Sequence, residues 1–140
     1  MAAPGRTLAI DYGGKRTGLA VSDPLGIAAH PLAAVISTDL EATVDAIARI
    51  AAEREVRRVV VGMPYLPSGL EGAQVDRVRL FIGALRPKLA PGIEILERDE
   101  RLTTRAAEEL WRQGGYSRRE AKDFLDSTAA VILLRDYLAE

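Results

Sequence analysis

The chain has 140 residues, 48% apolar and 28% charged, with 19 Lys and Arg against 20 Asp and Glu and a formal net charge of −1. That is one domain's worth of chain, long enough to bury roughly two-thirds of its unfolded surface. The absence of cysteine excludes disulfides, thiolate metal sites and cysteine nucleophiles. No apolar run nears the roughly 20 residues of a membrane span, and the opening MAAPGR lacks the apolar core of a secretion signal. These features predict a single domain over residues 1–140, cytoplasmic and without a membrane partner.

Arg6 to Asp11 reads as a strand, and Thr17 to Ser22 as its hairpin partner across a turn at Gly13 and Gly14. AAHPLAAVI is a third strand, which Pro31 marks as an edge or an irregular start. Thr38 and Glu41 have capping-box spacing, and Leu40, Val44, Ile47, Ala48 and Ala51 then recur at helical period. VRRVVVGMP is a buried strand stopped by Gly62 and Pro64, followed by an exposed and mobile loop, YLPSGLEG. Val75, Val78, Phe81, Ile82 and Leu85 make one face of a second helix. IEILERDE is a strand running into acids, RLTTRAAEELW starts a third helix, and the Ser117–Glu120 capping box opens a long final helix to about Leu138. A hairpin meander followed by alternating strands and helices predicts an α/β domain: a mixed sheet with helices on its faces.

Acids stand at three places where desolvation would be costly. Asp11 closes the first strand, Asp99 and Glu100 close the last, and Asp126 lies in the final helix on the side carrying Ala129, Ala130, Leu133 and Tyr137. The apolar run AAVILL just beyond Asp126 predicts a buried segment, where an unpaired carboxylate would cost several kcal/mol, of order ~3–5. If the three segments converge, their carboxylates repel unless a hard divalent cation, Mg²⁺ or Mn²⁺, sits among them. Two such ions can activate a water and stabilise the leaving oxygen of an in-line displacement. Plainer readings stand beside this one. Asp11 before Tyr-Gly-Gly suits a turn, Asp99 and Glu100 suit surface ion pairs with Arg98 and Arg101, and Asp126 suits a helical pair with Lys122.

Between Arg98 and Lys122 lie seven bases against five acids, and the first hairpin adds Lys15 and Arg16. Such clusters suit either a phosphate backbone or a solvated helix face. Thr103 and Thr104 suit an N-cap, or hydroxyls that hold a phosphate at a helix N-terminus. GGKRTG is not a Walker loop, because the G-x-x-x-x-G-K-[ST] spacing is missing and a strand follows. His30, the only histidine, reads as structural, and Trp111 and Phe124 read as core. Tyr12 and Tyr65 fall in loops where bases could stack on them.

Four blocks, IDYGGKRTGLAVSDPLGIAAHPL, VVVGMPYLPSGLEG, DERLTTRAA and DSTAAVILLRDYL, resemble the YqgF/RuvX family, in that order and over essentially the whole chain. The resemblance implies an RNase H-like fold: a five-stranded mixed sheet, its first three strands antiparallel, flanked by helices. It implies a metal-dependent endonuclease hydrolysing phosphodiester bonds, with Asp11, Glu100 and Asp126 as the catalytic, metal-holding acids and Mg²⁺ or Mn²⁺ as cofactor. Gly14 stands where many members carry Thr. Two substrates follow from the resemblance: the 5′ end of precursor 16S rRNA, and the Holliday junction. Lys15, Arg16 and Arg101 are then candidates for backbone contacts, with Thr103 and Thr104 orienting a phosphate or the substrate strand. Junction resolution needs two symmetric nicks and so a homodimer; RNA trimming needs one site. A rival reading is a non-catalytic nucleic-acid-binding module, a ribosome-assembly or transcription factor on the same scaffold. A sugar-kinase or chaperone-type ATPase also ends its first strand in Asp-x-Gly, but that architecture needs two such domains.

Overall fold

The computed structural model describes residues 5–100 and 118–140, with backbone alone for 118–122 and 124. Five strands, β1 (Arg6–Asp11), β2 (Arg16–Ser22), β3 (Ala29–Ile36), β4 (Val56–Met63) and β5 (Glu94–Asp99), form one sheet in the order β3-β2-β1-β4-β5. The first three pair antiparallel, while β4 and β5 run parallel to β1. Helices α1 (Leu40–Glu53) and α2 (Ala73–Leu85), a 3₁₀ turn at Arg86–Lys88, and α3 (Arg118–Leu138) complete the described elements. The third helix expected from Arg101 onward, the Ser117 cap, Trp111 and the Phe124 side chain lie outside the described residues.

Strand periodicity sorts the side chains onto two unlike faces. Leu8, Ile10, Leu19, Val59, Val61 and Met63 point to one side, where they pack on the buried stripes of α1 and α2. Ala9, Ala20 and Val60 point to the other, against Ala130, Val131, Leu133 and Leu134 of α3. Large residues fill the first interface; alanines in β1 and β2 let α3 lie close on the second. β3 is an edge strand, as Pro31 indicates, although Pro31 itself is buried.

The start of α1 departs from the expected capping box. Asp39 is the N-cap, its side chain accepting the Ala42 N–H at 3.1 Å, while the Asp39 N–H donates to Ser37 Oγ. An aspartate one residue on outcompetes Thr38 for the free amides at the helix start. Glu41 turns outward instead and pairs with Lys88 of the 3₁₀ turn at 2.9 Å.

Candidate active site

Asp11 ends β1 on the face that carries Ala9, the α3 side of the sheet. Two strands away, β5 delivers Glu100 immediately beyond its last residue, and the Glu100 N–H donates to the Met63 carbonyl at 3.0 Å. Between them, β4 offers Gly62 on the same face. A Cβ on Gly62 would lie 2.6 Å from Glu100 Oε2, so the carboxyl folds over the strand only because no side chain is there. The two acids meet in a hydrogen bond. Burial raises the Asp11 pKa, and the Glu100 hydrogen bond opposes that rise in part. Glu100 is pushed up to about 8 by burial first, then by the Asp11 charge and by its hydrogen bond to Asp11. The chemical sense is one proton shared by two carboxylates, with Glu100 as the donor. The other oxygen, Glu100 Oε1, is shielded from solvent and has no hydrogen-bond partner among the described residues.

Asp126 approaches from α3. Gly18 of β2 is the antiparallel partner of Asp11, and a Cβ on Gly18 would sit 3.4 Å from the Asp126 carbonyl oxygen and 3.2 Å from Ser127 Cα. The Asp126 side chain is one-third exposed rather than buried, while Ser127, Ala130 and Val131 beyond it are fully buried. Its carboxylate lies 3.8 Å from the Arg16 guanidinium, a partly exposed pair between α3 and the start of β2. The structure thus brings Asp11 and Glu100 together and sets Asp126 beside the strand that pairs with Asp11. Among the described residues no group of three such side chains is tight enough to hold an ion.

The remaining candidates divide. Lys15 and Arg16 are exposed on the turn next to Asp11, as a backbone contact requires. Arg101, Thr103 and Thr104 lie outside the described residues. The Tyr12 ring stacks on Phe81 with centroids 4.4 Å apart, and Tyr12 and Tyr65 are both partly buried against the same core. Arg98 is held by Glu140 at 2.9 Å and lies over the Tyr137 ring, tying the end of α3 to β5. His30 is exposed on the edge strand. The loop after β4 is exposed at its tip as expected, but Glu71 at its end is gripped by Arg79 of α2 through both carboxylate oxygens.

The pair fits a divalent cation. Its donors are hard carboxylate oxygens, one of them buried and without a partner among the described residues, and a cation can displace the proton that relieves their like charge.

The model of the RuvX family, described as Holliday junction resolvase, matches residues 5–140. The chain belongs to the RuvX family. A relative from Chloroflexus aggregans, provisionally named a pre-16S rRNA nuclease, is 40% identical over 131 residues, covering 94% of this chain and 91% of its own. Among solved structures, the Fowlpox virus resolvase in complex with Holliday junction DNA superposes with a TM-score of 0.61 at 13% identity, over 96% of this chain and 97% of that one. Thermus thermophilus RuvC superposes with a TM-score of 0.51 at 14% identity, over 96% of each chain. At such identities the likeness is one of fold, and the fold is RNase H-like.

Within this RuvX chain, sequence reasoning passed over Gly18, Gly62 and Ser127. Gly62 read only as a strand stop, and Gly18 and Ser127 drew no comment. A glycine inside an apolar strand run signals close approach by another group, and here that signal stood at both positions.

Proposed function

We propose that this chain is a divalent-metal-dependent endonuclease, one RNase H-like domain over residues 1–140, hydrolysing phosphodiester bonds in structured RNA precursors or branched DNA. The observation that carries the reading is the Asp11–Glu100 pair: two carboxyl groups in contact at the end of a sheet, one oxygen buried without a partner among the described residues. Membership of a resolvase family and relatives named as rRNA nucleases support the same chemistry. Asp11 and Glu100 would hold a Mg²⁺ or Mn²⁺ ion, with Asp126 completing the acidic set from α3. When bound, the ion supplies a Lewis acid for the phosphate and lowers the pKa of its water.

The chain's own groups do the rest. Asp11 and Glu100 present ionised oxygens once Glu100 has released its proton. Gly62 and Gly18 keep the backbone thin, so that a helix and a carboxyl can crowd over the strand ends. Arg16 and Lys15, exposed beside the acids, suit contacts to flanking phosphates, together with Arg101 and with Thr103 and Thr104 as orienting hydroxyls. No described helix is long and apolar enough to cross a membrane, which suits a cytoplasmic role. The two candidate tasks are trimming the 5′ end of precursor 16S rRNA and resolving a four-way junction; the second requires a homodimer.

The test offers purified protein a synthetic four-way junction and a precursor 16S 5′-end RNA, each with Mg²⁺, Mn²⁺ or EDTA. Metal-dependent cutting at symmetric junction positions, or at the mature RNA end, assigns the task. Binding of both without cutting of either would instead favour a non-catalytic module.

A further inference from the structure

We infer that Ser127 is a positioning residue: its hydroxyl staples the kink of α3 into a gap in the β2–β3 ladder, and so sets where Asp126 stands relative to Asp11. This rests on the reading of Asp126 as part of the metal-holding set. Ser127 breaks the helix geometry, with φ −128° and ψ 24°, in the middle of α3 and directly after Asp126. Such a break leaves helix hydrogen bonds unmade and needs an identifiable cause. The cause is visible in the sheet. Thr17 pairs with Val35 but Leu19 pairs with Leu32, so the register slips at Gly18 and the ladder opens there. Into that opening the Ser127 Oγ accepts the Leu19 N–H at 3.0 Å and donates to the Leu32 carbonyl at 2.8 Å. One hydroxyl thereby satisfies a donor on β2 and an acceptor on β3, and Ser127 is 1% exposed. Gly18 makes the staple reachable, since any side chain on it would press on Ser127 Cα. The same Gly18 faces Asp11 across the hairpin. Bulge, glycine, serine and kink therefore form one device, and its output is the position of the preceding residue, Asp126.

The role is separable from ordinary stabilisation. Mn²⁺ affinity of the full chain, measured by titration calorimetry, is compared with the thermal midpoint for Ser127→Ala, Leu134→Ala and Asp126→Asn. Leu134 is buried on the same helix and away from the acids, so Leu134→Ala should lower the midpoint while leaving the Mn²⁺ Kd within about twofold of wild type. Ser127→Ala should weaken Mn²⁺ by about 10–100-fold, the usual consequence of losing a group that orients a ligand. Ser127→Thr, which keeps the hydroxyl, should recover most of it. Should Ser127→Ala not fold, Gly18→Ala decides, because its Cβ would lie 3.2 Å from Ser127 Cα and displace the staple with the hydroxyl intact; weaker Mn²⁺ binding is expected there too. Unchanged affinity in Ser127→Ala or Gly18→Ala, or an equal loss in Leu134→Ala, would overturn the inference while leaving the metal reading in place. Unchanged affinity in Asp126→Asn would overturn both.

Discussion

β1 and β2 of the same hairpin each deliver an aspartate at the strand end, and the two could hardly be treated more differently. Asp23, just past β2, accepts the N–H groups of Ile27 at 2.7 Å, Ala28 at 2.8 Å and Leu25 at 3.2 Å. Those bonds, the Ala28 one foremost, hold its carboxyl below the usual aspartate range, and it serves as turn chemistry for the approach to β3. Asp11 has burial and a second carboxyl for company, and its pKa is raised. One aspartate is fully answered by its own backbone. The other is buried against a second carboxyl at the end of the sheet, an environment that suits a site better than a turn.

Substitutions test that contrast directly. The largest effect is expected for Asp11→Asn, which should slow metal-dependent cleavage by at least about 10³-fold, the several kcal/mol that a bound ion contributes to the transition state; rates comparable to wild type would remove Asp11 from the chemistry. Gly62→Ala comes next. Its Cβ would collide with the Glu100 carboxyl, so Mn²⁺ affinity should fall by about 10–100-fold with a smaller change in the thermal midpoint.

The third effect is on stability. Glu100 ionises near its ordinary value, 4.5, in the unfolded chain and at about 8 in the folded one. Between those values the folded state binds more protons, so stability falls as pH rises from about 4.5 to about 8 and then levels. In EDTA, denaturant titrations across that range should show the decline, and Glu100→Gln should flatten it. A stability that rises with pH in wild type, or a decline undiminished in Glu100→Gln, would place the titrating group elsewhere. A smaller change follows from Arg16→Ala, which should weaken nucleic-acid binding a few-fold and reduce the salt dependence of log K by about one phosphate contact. The smallest change in activity belongs to Asp23→Asn: cleavage should match wild type while the thermal midpoint falls, because the loop amides lose their acceptor.

Much of this is legible in the sequence. Alternation in RTLAID and VRRVVVGM, helical period in α1 and α2, and Pro31 at an edge all follow from local sterics and burial, and the sheet obeys them. Asp11 was readable as unusual because it ends an apolar strand on a charge, and Glu100 only together with Asp99, at the end of a strand that already carries Glu94, Glu97 and Arg98. Their contact was not, since it depends on β4 lying between β1 and β5 and on Gly62 being bare. The one-third exposure of Asp126 and its pairing with Arg16 were not legible either, since a helical wheel shows neither the break at Ser127 nor the strands, more than 90 residues away in sequence, that the Ser127 hydroxyl bonds to. The N-cap at Asp39 was misplaced through a closer competition, between two adjacent residues that both make good caps.

The most direct test of the central claim is proton release on Mn²⁺ binding, read by calorimetry in buffers of different ionisation enthalpy at pH 7 and pH 9. If the Asp11–Glu100 pair holds the ion, wild type should release about one proton at pH 7 and far less at pH 9, while Asp23→Asn behaves as wild type and Glu100→Gln releases none. Mn²⁺ binding with no proton release at pH 7, or with undiminished release in Glu100→Gln, would mean that the ion goes elsewhere.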